Sequence, residues 1–139
     1  FKKTSKTNFM NEKMSAGTNA LNWFEIPATD IARAKKFYEI IFEIVMEKME
    51  MPGMKYAMFP FNPANAKVAG GLAQSAMHNP GTTGSLIYLN ANPDLQNVLD
   101  RIEAAGGKIT MPKTSIGQNG FMAVFTDTEG NLLALHSNS

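Results

Sequence analysis

The stretch WFEIPATDIARAKKFYEIIF, residues 23–42, changes its period in the middle, and that change decides the fold. Leu21, Trp23, Phe24, Glu25 and Ile26 form a short, largely apolar run that Pro27 ends, as expected of a strand. Asp30 follows as an N-cap for a helix opening at Ile31, because its carboxylate can accept from the unpaired N–H groups of a first turn. Ile31, Ala34, Phe37, Tyr38, Ile41 and Phe42 then recur at three- and four-residue steps and give one apolar face. Arg33, Lys35, Lys36, Glu39 and Glu43 occupy the rest of that helix.

Working outward, three strands are predicted after the helix. They cover Val45 to Met51, Lys55 to Phe61 and Lys67 to Gln74, with Pro52-Gly53 and Asn62-Pro63-Ala64-Asn65 as the turns. Gly70-Gly71 inside the third predicts a bulge or a close backbone approach. Residues 75–84 read as a polar linker. The order then repeats. Ser85 to Leu89 is a strand, and Pro93 or Asp94 opens a helix that carries Leu95, Val98, Leu99 and Ile102 on one face. Gly106-Gly107 stops it, one glycine being free to take the left-handed cap conformation. Lys108 to Met111, Gly120 to Thr126 and Leu132 to His136 are strands, with Thr128-Glu129-Gly130-Asn131 as the last turn. A βαβββ unit therefore occurs twice, which predicts an α+β fold in which two βαβββ modules form a curved mixed sheet around a cleft. Residues 1–18 are expected to be a flexible arm and 19–139 one domain, with modules over about 20–75 and 85–137.

The 139 residues, 44% of them apolar and 18% charged, suffice for one domain with its own core and exclude a disordered or collagen-like chain. The absence of cysteine excludes disulfide scaffolds, thiol nucleophiles and Cys-ligated zinc, and fits a cytoplasmic protein. No apolar run is long enough to span a bilayer, and the polar N-terminus has no apolar core of a signal peptide, so no membrane partner is expected. The net charge of +1 is unevenly spread. Lys2, Lys3, Lys6 and Lys13 lie in the arm, and the remaining chain is slightly acidic. A nucleic-acid partner would need the basic surface on the folded body, so none is expected.

Several of these segments together resemble the vicinal oxygen chelate superfamily, which holds glyoxalase I, extradiol dioxygenases, fosfomycin-resistance enzymes and bleomycin-binding proteins. The likeness is carried by Trp23-Phe24-Glu25-Ile26-Pro27 with Thr29-Asp30-Ile31, Ala34 and Phe37-Tyr38, by Ala104-Ala105-Gly106-Gly107-Lys108-Ile109, Met111-Pro112 and Gly120-Phe121-Met122-Ala123, and by Asp127-Thr128-Glu129-Gly130-Asn131 with Leu135-His136-Ser137. It implies a metal site built from His and Glu on the first and last strands of each module. Carried over one position at a time, those ligands fall on Trp23, on a fourth strand whose surroundings from Phe61 to Gly84 hold no Asp or Glu, on Ser85 or Ile87, and on Ala134. Indole, isoleucine and alanine cannot ligate a metal and a lone serine is a poor ligand, so no metal or other cofactor is expected. The resemblance also implies a homodimer.

In place of a metal site, Trp23 and Glu25 lie two apart on one strand and share a face, as do Ala134 and His136. If both pairs point into the cleft, Trp23, Glu25, Tyr56, Met58, Ser85, Ile87, Ala134 and His136 are the expected ligand-binding residues. Glu25 and His136 are then the candidate acid/base pair. A carboxylate on an apolar strand needs a donor, and the plainer reading is that Glu25 and His136 bond each other or the backbone and lock the sheet. His78, in the polar linker, is read as solvated. Three functions are compatible: metal-free binding of a small molecule, a lyase- or isomerase-type enzyme using Glu25 and His136, and a structural or interaction module whose cleft is closed by Trp23.

Overall fold

A computed structural model of the chain describes residues 12–65 and 67–139. Most of the expected arm therefore lies outside the described residues; from Glu12 to Thr18 the chain is mainly exposed, with a turn in which Thr18 N–H donates to the Ser15 carbonyl. The elements are β1 (Trp23–Pro27), α1 (Ile31–Phe42), β2 (Glu47–Met51), β3 (Met54–Met58), β4 (Ala69–Gln74), β5 (Tyr88–Asn90), α2 (Leu95–Ile102), β6 (Lys108–Ser115), β7 (Phe121–Thr126) and β8 (Leu132–Ser137). The order βαβββ occurs twice, as the repeat predicts. Each module makes its own four-stranded mixed sheet, ordered β1-β4-β3-β2 and β5-β8-β7-β6. Within each, the first strand runs parallel to the last and the other neighbours are antiparallel.

The helices form where the apolar periodicity places them. Asp30 Oδ1 accepts from the Arg33 backbone N–H at 3.1 Å, and Asp94 Oδ1 from that of Gln96 at 3.0 Å, so both predicted caps are made. After α2, Gly106 at φ 109° turns the chain so that Gly107 N–H reaches the Ile102 carbonyl at 3.0 Å. Ile31, Ala34, Phe37, Tyr38 and Ile41 of α1 and Leu95, Val98, Leu99 and Ile102 of α2 are buried in one core. That core takes Ile26, Ala57 and Leu72 from the first sheet and Leu89, Ala123, Phe125, Leu133 and Leu135 from the second. Phe37 of α1 lies 6.1 Å from Phe125 of β7, ring centre to ring centre, so the two modules share their apolar interior.

The strand ends differ from the sequence reading in ways the ladders explain. β5 shortens to three residues because its one ladder partner, β8, pairs only with Tyr88, Leu89 and Asn90. β6 runs four residues past Met111, through Pro112. A proline is tolerated there because β6 is an edge strand, and the register against β7 shifts on either side of Met111. The two sheets are separate ladders rather than one, and β1 and β5 are their inner edges. Residues of both edges line a cavity of about 500 Å³, and β1 together with Ser85 and Ile87, just before β5, lines a second of about 310 Å³. Among the described residues, no helix is long and apolar enough to cross a membrane.

Candidate functional site

Cross-strand partners point to the same face, so the register sorts side chains into two sets. In the first sheet, Phe24, Ile26, Ala57 and Leu72 face the helices. Trp23, Glu25, Tyr56, Met58, Ala69, Gly71 and Ala73 face away from them. In the second sheet, Leu89, Leu133 and Leu135 face the helices, while Tyr88, Asn90, Met122, Val124, Ala134 and His136 share the opposite face.

The helix-free face of the first sheet carries a connected polar network. Trp23 Nε1 donates to the Tyr56 hydroxyl at 2.6 Å. Burial pushes the Tyr56 phenol up; the indole donor acts against this, and the Glu25 carboxylate reinforces it. Glu25 Oε1 accepts from His78 Nε2 at 2.7 Å, and His78 Nδ1 lies 2.6 Å from Ser75 Oγ. The Trp23 ring packs edge-on against Phe61, with centroids 5.2 Å apart. Tyr56 can lie this close to β4 only because position 71 is glycine; a methyl there would run into the Tyr56 ring and the Ala57 carbonyl. The predicted close approach at Gly70-Gly71 thus shapes the site, and no bulge is needed.

The network corrects two expectations. His78 is not solvated. Its side chain is 12% exposed and bonded through both ring nitrogens, whereas Glu25 remains 38% exposed. The imidazole beside Glu25 is therefore His78 and not His136. His136 Nε2 instead donates to the Asn119 carbonyl at 2.7 Å, on the second sheet. The linker folds back from the end of β4 and brings His78 to β1, a long-range contact that no periodicity announces. Two signals in the chain did point to it: Glu25 needed a donor, and only two histidines exist to supply an imidazole.

The other expected residues divide between the two modules. Glu25, Ser85 and Ile87 line the 310 Å³ cavity together with Asn79, Asn131 and Leu132. Trp23, Tyr56 and Met58 share the face that Glu25 occupies. Ala134 is fully buried, opposite Tyr88, and Tyr88 itself is half exposed. In the ladder the β5 residue opposite Ala134 is Tyr88, and Ser85 and Ile87 lie just before that strand.

The donor set does not suit a divalent ion at the implied positions. Trp23 gives its only polar hydrogen to Tyr56, its β4 partner is Ala69, and Ala134 has no ligating atom. Among the described residues, no three His, Asp or Glu side chains lie close enough to hold a metal together.

The junction of the modules carries the strongest electrostatics. Glu129 Oε1 accepts from the backbone N–H groups of Thr29 and Asp30, both at 2.9 Å, while Arg33 Nε reaches Oε2 at 2.8 Å. Burial alone would raise the Glu129 carboxyl, but Arg33, these two N–H groups and the Thr128 hydroxyl outweigh it and hold the carboxyl at about 2. Asp127 accepts from the buried Tyr38 hydroxyl at 2.7 Å, and burial followed by that carboxylate pushes the phenol well above its usual range. Asn131 Nδ2 donates to the Pro27 carbonyl at 2.7 Å, fixing the end of β1 beside the cavity.

Comparison with known proteins places this architecture. The model of the Glyoxalase/Bleomycin resistance protein/Dioxygenase superfamily matches residues 20–135. A Mycobacterium tuberculosis protein named "Putative glyoxylase CFP32" is 30% identical over 121 residues, covering 82% of this chain and 44% of that protein. Among solved structures, a glyoxylase/bleomycin resistance protein/dioxygenase domain from Frankia sp. EAN1pec aligns with a TM-score of 0.66 at 13% identity, over 87% of this chain and 98% of that one. Glyoxalase I from Zea mays aligns with a TM-score of 0.62 at 22% identity, over 84% of this chain and 44% of that one. The chain thus spans less than half the length of the curated relative and of the maize enzyme.

Proposed function

The chain belongs to the glyoxalase/bleomycin resistance protein/dioxygenase superfamily, and from that membership we propose that it binds a small organic molecule against the helix-free face of its first sheet without a metal ion. One observation carries this reading: Trp23, at a position where the resemblance implies a metal ligand, donates to Tyr56 instead, and Glu25 on the same face pairs with His78. Trp23 and Met58, both half-buried, offer an apolar, partly aromatic surface, and Glu25 keeps solvent-accessible acceptor capacity for a donor on the ligand. A ligand with a flat apolar body and an N–H or O–H group suits both. A thermal-shift screen of aromatic, dicarbonyl and antibiotic compounds tests this. The expected result is a stabilising hit that Trp23→Ala abolishes. Silence across the set would favour an interaction module closed by Trp23.

A second reading is favoured by the 2.7 Å contact between Glu25 and His78. A carboxylate held by an imidazole is a competent proton acceptor, so a lyase- or isomerase-type reaction would use Glu25 with His78 as its partner. His136 would then serve only the opposite sheet. Glu25→Gln should abolish turnover of any substrate found in the screen while leaving the melting temperature within a few degrees of wild type; unchanged turnover removes Glu25 from the chemistry. The cysteine-free chain is expected in the cytoplasm. It is expected as a homodimer, with light scattering giving twice 15.2 kDa; a monomer at high concentration would overturn that expectation.

A further inference from the structure

The geometry points to Ser75, His78 and Glu25 as nucleophile, base and orienting carboxylate for acyl transfer from a small carboxylic ester. Glu25 in its carboxylate form only accepts, so the Nε2 bonded to it must carry a hydrogen. In the neutral ring this leaves Nδ1 as the acceptor, and the hydroxyl 2.6 Å away is then obliged to donate to it. Ser75 O–H, imidazole and carboxylate are thereby aligned as in a serine hydrolase relay, with the two ring nitrogens exchanging roles. The Met77 backbone N–H donates to Ser75 Oγ at 3.2 Å and stabilises negative charge on that oxygen as its proton leaves. A second lone pair on the oxygen is left for attack.

Ser75 and His78 line a cavity of about 570 Å³. Met51 and Met54 give it an apolar wall for an acyl chain, and Lys55 and Asn79 are donors available to ester oxygens. In the reaction, Ser75 Oγ bonds to the acyl carbon while its proton passes to His78 Nδ1. The ester C–O bond breaks, and the departing alcohol takes that proton. Water then attacks the acyl group, gives a proton to Nδ1, and Ser75 leaves with it. The hydrogen on Nε2 stays on the ring throughout, held by Glu25. This inference does not rest on the ligand proposed above, because its cavity lies at the end of β4 and includes neither Trp23 nor Tyr56.

The test is reaction of the full chain with a fluorophosphonate probe, followed by intact mass and peptide mapping. One adduct per chain on Ser75 is expected, together with hydrolysis of p-nitrophenyl acetate. Ser75→Ala should remove the adduct, and His78→Ala and Glu25→Gln should slow its formation by roughly 100-fold or more. No adduct under conditions that label a known serine hydrolase would overturn the inference, as would an adduct on another residue. Mapping of the wild-type chain decides this even if a variant fails to fold. Absent labelling beside a Trp23-dependent thermal shift would sink the acyl-transfer site alone; labelling without any ligand hit would sink only the binding proposal.

Discussion

At the scale of single residues, the site depends on a missing side chain. Tyr56 is 5% exposed and lies across Gly71, which pairs with both Met58 and Glu25 in the ladders. Gly71→Ala should push the phenol off β4, break its contact with Trp23 and cost about 1–3 kcal/mol of stability, the usual range for overpacking. Urea denaturation with tryptophan fluorescence reads both effects, since the chain has one tryptophan. A wild-type midpoint with an unshifted emission maximum would show that the ring has room. Trp23 and Glu25 were legible as site residues because two-residue spacing puts them on one face. Their partners were not, because hydrogen bonds across 33 and 53 positions of chain depend on how β3 and the linker return to β1.

At the scale of elements, the turn between β7 and β8 is a clamp between the modules. Its Glu129 takes the first N–H groups before α1 and pairs with Arg33, so it caps the helix of the other module as well as closing its own hairpin. The folded carboxyl at about 2 lies below its ordinary value of 4.5. Its stabilisation is therefore complete above about pH 4.5 and is lost as the pH falls toward 2. Screening of the half-exposed Arg33 keeps the contribution on the order of 2 kcal/mol. Denaturation midpoints compared at pH 7 and pH 3 should fall for wild type and fall less for Glu129→Gln, which should already be weaker at pH 7. Equal acid sensitivity in the two proteins would place the effect elsewhere. The Asp-Thr-Glu-Gly-Asn motif was visible in the sequence as a turn; its role as a clamp required the position of α1.

At the scale of the whole molecule, two modules share one core but keep separate sheets, and a cavity of about 500 Å³ is lined by residues of both edges, β1 and β5. The positions where the family resemblance implies metal ligands fall on Trp23, on a fourth strand without Asp or Glu, on Ser85 or Ile87 and on Ala134, none of them an imidazole or a carboxylate. Protein purified without chelators should therefore carry well under one equivalent of zinc, nickel, iron or manganese by elemental analysis; near-stoichiometric metal would refute this.

Local order was determined by the sequence alone. Periods of two and of three to four residues, the caps at Asp30 and Asp94 and the stop at Gly106 are short-range physics, so the doubled βαβββ order and the two helix faces could be read directly. That Trp23 and Ala134 offer no lone pair to an ion was equally readable, since a side chain without such an atom lacks it in any fold. The tertiary structure decided which imidazole meets Glu25 and how far β5 extends. It also decided that the sheets remain two ladders. Each of those outcomes turns on contacts between distant segments, whose geometry depends on packing of the shared core and not on the local pattern of residues.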